Sequence, residues 1–121
     1  MGLIPADTNV VIYMLNGDET IIQFFDENII AISFITELEL LSGKKFSSSQ
    51  LKLIKEVIQK ISIYAMDNSI KQYCIDLRLK YSLKLPDPII AATAQAHNLP
   101  LFTSDKQFSG ISEIAVSLYT F

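Results

Sequence analysis

The sequence has one cysteine, Cys74, among its 121 residues. It therefore cannot form an internal disulfide, and a lone thiol is typical of a reducing compartment, so we expect a cytoplasmic protein. No apolar run approaches the ~20 residues of a membrane span. The first residues also lack the charged and long apolar segments of a signal peptide. The sequence accordingly predicts no contact with a membrane.

Basic residues are few. Ten Lys and Arg face thirteen Asp and Glu, for a net charge of −3, which excludes the overall positive charge typical of nucleic-acid-binding proteins. The charge is uneven, however, because five lysines and one glutamate fall between Lys44 and Lys60. A local basic surface therefore remains compatible with the composition.

Several catalytic arrangements are missing. The sequence has no C-x-x-C and no glycine-rich phosphate loop, and its single histidine, His97, stands near the end of a predicted helix. A serine–histidine–aspartate triad cannot be assembled around it. Cys74 lies on the apolar stripe of a predicted helix, which favours a packed core thiol.

Short apolar runs alternate with helical patterns. Strands are predicted at residues 2–6, 29–32, 61–65, 101–103 and 114–119, with helices between them. The length favours one domain spanning residues 1–121. The alternation predicts an α/β fold, a three-layer sandwich with helices on both faces of a mostly parallel sheet. Sites in such folds lie at the carboxyl ends of the strands.

Asp87 marks an abrupt helix start. The sequence predicts Asp87 as the N-cap and Pro88 as the first helical residue, because aspartate caps well and proline needs no partner there. The apolar run that follows predicts a helix buried on most sides. Asp87 is therefore held at the mouth of a buried helix.

Three further acids belong to the same predicted edge of the sheet. Asp7 follows the first strand, Asp105 follows the strand at 101–103, and Glu39 lies two turns into the helix after the strand at 29–32. Carboxylates gathered there repel one another, and folding alone does not require that arrangement. Glu37, two residues from Glu39, faces another way on the helix.

An all-oxygen acidic site suits Mg²⁺ or Mn²⁺ better than zinc. Such an ion lowers the pKa of bound water and holds phosphate oxygens, so a phosphodiester or nucleotide substrate is expected. Four polar residues could support the site or only cap helices: Thr8, Asn9, Thr103 and Ser104.

Two other acidic-site folds fit less well. A phosphoacceptor receiver domain needs paired acids at one strand end and a lysine after a late strand, whereas Asp7 is single and Ser104 and Asp105 follow Thr103. A haloacid-dehalogenase-type phosphatase needs an acid two residues after the first, and that position is Asn9.

Four stretches together resemble the PIN-domain ribonucleases, especially the VapC-type toxins of toxin–antitoxin pairs. They are residues 7–13 (DTNVVIY), 32–43 (ISFITELELLSG), 85–94 (LPDPIIAATA) and 101–108 (LFTSDKQF). In the second motif of that family a glutamate stands three after the threonine and four before the glycine, which selects Glu39. Pro5 and Gln107 depart from the pattern, since a plain apolar residue and a further acid are usual there.

The resemblance implies a five-stranded parallel sheet, metal-dependent cleavage of RNA (tRNA or another structured RNA), homodimerisation and inhibition by a cognate antitoxin. It implies that Asp7 and Asp87 bind the first Mg²⁺ or Mn²⁺, that Glu39 binds through the metal or its water, and that Asp105 binds a second metal or a bridging water. The candidate RNA-backbone contacts are Lys44, Lys45, Lys52, Lys55, Arg78, Lys80 and Lys84. A non-catalytic PIN module that binds RNA or protein remains the alternative.

Overall fold

The structure is a computed structural model that describes residues 3–43 and 45–119. Its strands are β1 (Leu3–Pro5), β2 (Ile29–Ser33), β3 (Ser62–Tyr64), β4 (Leu101–Thr103) and β5 (Val116–Leu118). Its helices are α1 (Thr8–Leu15), α2 (Glu19–Glu27), α3 (Phe34–Leu41), α4 (Ser48–Ile58), α5 (Asn68–Tyr81) and α6 (Asp87–His97), and a short 3-10 helix spans Lys106–Gly110.

All of the strand pairings that the structure describes are parallel. One ladder joins β1, β2 and β3, and a second joins β4 and β5. The two ladders meet at an isolated bridge between Ala6 and Phe102, so the strand order across the sheet is β3-β2-β1-β4-β5. The predicted α/β fold class is confirmed.

Each face of the sheet carries its own apolar core. One core packs α1, α2 and α4 against β1, β2 and Phe102, and its largest buried side chains include Ile21, Ile32 and Ile54. The other packs α5 and α6 against β4, and it contains Cys74 and Phe108. The predicted core position of Cys74 is therefore confirmed. Burial on both faces explains why the strands read as continuous apolar runs rather than alternating ones.

Polar side chains define most of the helix starts. Asp18, Ser33, Ser47 and Asp67 each accept a backbone N–H from the first turn of the helix that follows. Ser47 forms a full capping box with Gln50, because each side chain also bonds the backbone of the other. These bonds satisfy N–H groups that a helix start leaves without partners. They fix the helix positions from local sequence.

Pro5 is accommodated at the last position of β1. It stands opposite Ala31, and the next residue, Ala6, donates its N–H to the Ala31 carbonyl 2.9 Å away. The strand therefore continues its bonding past the residue that lacks a donor. In the described part of the chain, no helix has the length and apolar character needed to span a bilayer.

Candidate functional site

An acidic cavity of about 300 Å³ opens at the carboxyl end of the sheet. Three of the four predicted acids line it, namely Asp7, Glu39 and Asp87. Asp105 is not part of the lining, but it is close enough to raise the pKa of both Asp7 and Asp87 by charge repulsion. The structure therefore brings all four acids to one region, with Asp105 at its margin.

The carboxylates of Asp7 and Asp87 are not used as helix caps. Asp7 occupies the N-cap position of α1 and makes no side-chain capping bond. Asp87 was predicted as the N-cap of α6, and this prediction is wrong: the N-cap is Pro86, the helix begins at Asp87, and Pro88 is its second residue. The N–H of Asp87 is bound by the carbonyl of Lys84 instead, in the turn that precedes the helix. Both residues line the cavity.

The side chain of Thr103 fixes one oxygen of Asp7. Its hydroxyl donates to Oδ2 of Asp7 at 2.7 Å, and the same hydroxyl oxygen accepts the N–H of Asp105 at 3.0 Å. Asp7 and Thr103 are both almost fully buried. The end of β4 is thereby bonded to the end of β1 through the carboxylate of Asp7.

A second chain of hydroxyl groups fixes Glu39. The Thr8 hydroxyl donates to Oε1 of Glu39 at 2.6 Å and lies 3.0 Å from the hydroxyl of the fully buried Thr36. A threonine hydroxyl has one proton. Because Thr8 gives that proton to Glu39, the proton between the two threonines must come from Thr36. The donor order is therefore Thr36 to Thr8 to Glu39.

Burial and mutual repulsion raise the pKa values of two acids. Burial raises the pKa of Asp7, and the bond from Thr103 opposes that increase. Burial also raises the pKa of Asp87 to about 6, with further increases from the charges of Asp7, Asp105 and Glu39. An acidic side chain whose pKa is raised by burial and by neighbouring carboxylates is typical of a site to which a cation binds.

The acidic side chains of the cavity determine whether it can hold a divalent cation. Over residues 3–43 and 45–119, no three acidic, histidine or cysteine side chains are arranged to hold a metal ion by themselves. Mg²⁺ usually keeps several water ligands and binds through one or two carboxylates. A cavity lined by the side chains of Asp7, Glu39 and Asp87 therefore fits a divalent cation that keeps part of its water shell.

The predicted supporting residues differ in position. Thr8 and Asn9 line the cavity, and Thr103 acts through Asp7. Ser104 is partly buried and is not part of the lining. His97 stacks on Tyr64 with ring centroids 3.9 Å apart, and neither ring lines the acidic cavity.

The candidate RNA-backbone contacts are also distributed unevenly. Lys45 lines the acidic cavity, whereas Lys52, Lys55, Arg78, Lys80 and Lys84 are not part of its described lining. Lys80 forms an ion pair with Glu113 at 3.2 Å. Lys44 lies outside the described residues.

Two residues of this region were missed in the sequence. Thr36 stands three residues before Glu39, on the same side of a helix, and that spacing could have indicated it. Phe46 lines the cavity beside Lys45. Its position depends on how the segment between α3 and α4 folds back, which no periodic pattern predicts.

Comparison with known proteins agrees with this geometry. A family model of the PIN domain matches residues 5–114. Among solved structures, a toxin–antitoxin complex from Klebsiella pneumoniae is similar at 33% identity and a TM-score of 0.80, over 93% of this chain and 95% of that chain.

Two further solved structures have the same fold at lower identity. VapBC2 from Rickettsia felis, bound to a DNA fragment from its promoter, has 22% identity and a TM-score of 0.86, over 98% of this chain and 100% of that chain. DNA-bound VapBC from Salmonella typhimurium has 23% identity and a TM-score of 0.87, over 97% and 98%. Comparison with curated proteins by sequence gives no match.

Proposed function

The chain belongs to the PIN-domain family, and from this premise we propose that it is a divalent-metal-dependent endoribonuclease that hydrolyses RNA phosphodiesters. The observation that carries the proposal is the acidic cavity, in which Asp7, Glu39 and Asp87 meet and burial together with their charges raises the pKa of Asp87 to about 6. We further propose that residues 1–121 form a single PIN-like domain. The four acids at one end of its sheet are the proposed catalytic residues.

Each acid has a distinct proposed role. Asp7 and Asp87 would hold a Mg²⁺ or Mn²⁺ ion through their carboxylates. When bound, such an ion lowers the pKa of a water ligand and neutralises phosphate charge. Glu39, fixed by Thr8, accepts a hydrogen bond from the attacking water and orients it toward phosphorus. Asp105 holds a second cation or a bridging water at the margin of the cavity.

Lys45 supplies the proposed contact with the RNA backbone. It is exposed and is the one basic side chain in the described lining of the acidic cavity. A lysine beside carboxylates attracts a phosphate that the acids alone would repel. Such a contact positions RNA without reading its sequence.

We also propose that the protein acts as the toxin of a toxin–antitoxin pair and that a cognate antitoxin inhibits it. The complex from Klebsiella pneumoniae supports this role, because 93% of this chain is similar to it at 33% identity. Homodimerisation is a further proposal. It is consistent with Ile75 and Leu79, which lie one turn apart on α5 and are 43% and 81% exposed.

Cleavage of a structured RNA, such as tRNA, tests the activity. The protein is expected to cleave with Mg²⁺ or Mn²⁺ and to stop when EDTA removes the ion. Asp87→Asn should abolish cleavage, whereas Asp76→Asn should not, because Asp76 is exposed on α5 and its side chain accepts a hydrogen bond from Gln72, away from the cavity. Equal activity of Asp87→Asn and the parent would refute the catalytic assignment. RNA binding without cleavage under all conditions would favour the non-catalytic alternative.

A further inference from the structure

The lining of the acidic cavity is partly apolar. Beside the carboxylates and Lys45, the lining contains Phe46, Ile12, Pro86 and Ile90. A pocket that bound only a hydrated cation and a phosphate would need no apolar surface. These apolar side chains instead suit a flat, weakly polar group that enters the cavity together with the phosphate.

Phe46 is placed where such a group would lie. It follows Lys45 directly in sequence, and both side chains line the cavity. Phe46 is partly buried, and it also lines a small apolar cavity with Leu15, Leu53 and Ile54. Its ring therefore stands between the core-side cavity and the acidic one.

Gly43 leaves room for the edge of the Phe46 ring. A Cβ added at Gly43 would lie 2.6 Å from Cε2 and 2.7 Å from Cδ2 of Phe46. The N–H of Phe46 is directed at the Gly43 carbonyl 3.4 Å away. The next residue, Ser47, is held by the capping box of α4. Gly43 before Phe46 in the chain and Ser47 after it thus fix where the ring lies.

We propose that Phe46 is a stacking platform for one unpaired base of the RNA substrate, held beside the phosphate that Lys45 contacts. This inference rests on the proposed ribonuclease function. Bases of single-stranded RNA stack on aromatic side chains, and the resulting affinity tolerates different bases because each base has a π-face. A cavity of about 300 Å³ is at the lower end of the range for small-ligand sites, which suits a single nucleotide.

Stacking on Phe46 requires the nucleotide beside the bound phosphate to be unpaired, because a base inside a duplex cannot place its face on a side chain.

The experiment uses hairpin RNAs in which one loop nucleotide is replaced by 2-aminopurine, with the label moved through the loop. Binding is measured by anisotropy and by 2-aminopurine quenching, in an Asp87→Asn background that prevents cleavage. Phe46→Leu is compared with Phe46→Tyr, which retains a ring. Phe25→Leu is the matched control, because Phe25 is a partly buried phenylalanine that lines a different cavity.

One label position should be quenched on binding to the Asp87→Asn protein and to its Phe46→Tyr and Phe25→Leu variants. Phe46→Leu should lose that quenching and bind about tenfold more weakly. Melting temperatures are measured for each variant, and Phe46→Met replaces Phe46→Leu if the latter is unfolded at the assay temperature.

Two negative results are distinguishable. If the parent cleaves RNA and loss of the ring changes neither quenching nor affinity, the stacking inference is wrong and the proposed function stands. If the parent neither binds nor cleaves any of the hairpins, the proposed function and the inference both fail.

Discussion

The Thr8 hydroxyl lies 2.6 Å from Oε1 of Glu39, and the same hydroxyl accepts the proton of Thr36 at 3.0 Å. Glu39 is therefore held by a short bond from a neighbour that is itself held in place. Thr8→Val removes this donor, and bonds to charged groups are worth about 1.5–3 kcal/mol. We expect a fall in kcat of about tenfold to a hundredfold at saturating Mg²⁺, measured by RNA cleavage.

The donor order makes the two threonines unequal. Thr36→Val leaves the hydrogen bond from Thr8 to Glu39 in place, so it should reduce kcat less than Thr8→Val does. Thr8→Ser keeps the hydroxyl and should retain cleavage. Binding of Mn²⁺, followed by electron paramagnetic resonance, gives a readout independent of turnover. Equal losses for Thr8→Val and Thr36→Val would contradict the order.

The bond from Thr103 to Asp7 predicts a shift in the pH profile. It lowers the pKa of Asp7 against the increase caused by burial, so Thr103→Val should raise that pKa. Because Asp7 must be ionised to bind a cation, the acid limb of kcat/KM should move to higher pH. Thr103→Ser retains the hydroxyl and serves as the control. An unshifted acid limb in Thr103→Val would show that the bond does not govern Asp7.

The raised pKa of Asp87 predicts how stability depends on pH without metal. The folded pKa is about 6 against an ordinary 3.8, so the folded state binds more protons than the unfolded state between these values. The contribution to stability is present below the ordinary pKa and is lost as the pH rises through about 6. The contribution of Asp87 should therefore make the melting temperature in EDTA higher at about pH 5 than at about pH 7.5.

Three changes isolate the contribution of the acids to stability. Asp87→Asn should reduce the pH dependence and raise the melting temperature at neutral pH, because it removes repulsion. Asp105→Asn or added Mg²⁺ should also raise it, and Asp105→Asn keeps an oxygen that can accept the N–H of Gln107. If the melting temperature responds to none of these changes, the carboxylates are not coupled.

Gly43 and Gly110 form a matched pair for testing the position of Phe46. A Cβ at Gly43 would meet the Phe46 ring at 2.6 Å, whereas a Cβ at Gly110 would have nothing within 4 Å. Gly43→Ala should therefore force the ring to move and cost about 1–3 kcal/mol of unfolding free energy. Gly110→Ala should cost much less. Chemical denaturation measures both, and equal costs would indicate that the ring does not rest on Gly43.

The fold was predictable because its signals are local. The apolar run at 29–32 and the capping residues Ser33 and Ser47 stand where the structure begins its strands and helices. The start of α6 was misjudged because the turn before it, in which the Asp87 N–H bonds the Lys84 carbonyl, makes Pro86 the N-cap. A capping rule applied to Asp87 alone could not reveal that.

Some residues of the site could likewise be predicted from local sequence, and others could not. Asp7 and Glu39 were predictable because each follows a parallel strand, and such strands end at one edge. The roles of Thr36 and Phe46 depend on contacts between segments distant in the chain or on the path of a connection. The spacing of Thr36 and Glu39 places them on one side of a helix, but it does not show that Thr8 joins them. Phe46 has no signature in periodicity. The candidate assignments of the acids stay predictions until the variants above are measured.

The bridge between Ala6 and Phe102 joins the two ladders of the sheet at the residue before Asp7. The Asp7 N–H donates to the Phe102 carbonyl at 2.9 Å. One amide hydrogen bond therefore crosses the seam, the junction of the two ladders, beside the acids. Its rate of exchange with solvent reports how often the seam opens. A cation that draws Asp7 and Asp105 together should slow that exchange, which would make a single backbone amide a sensor of site occupancy in the absence of any substrate.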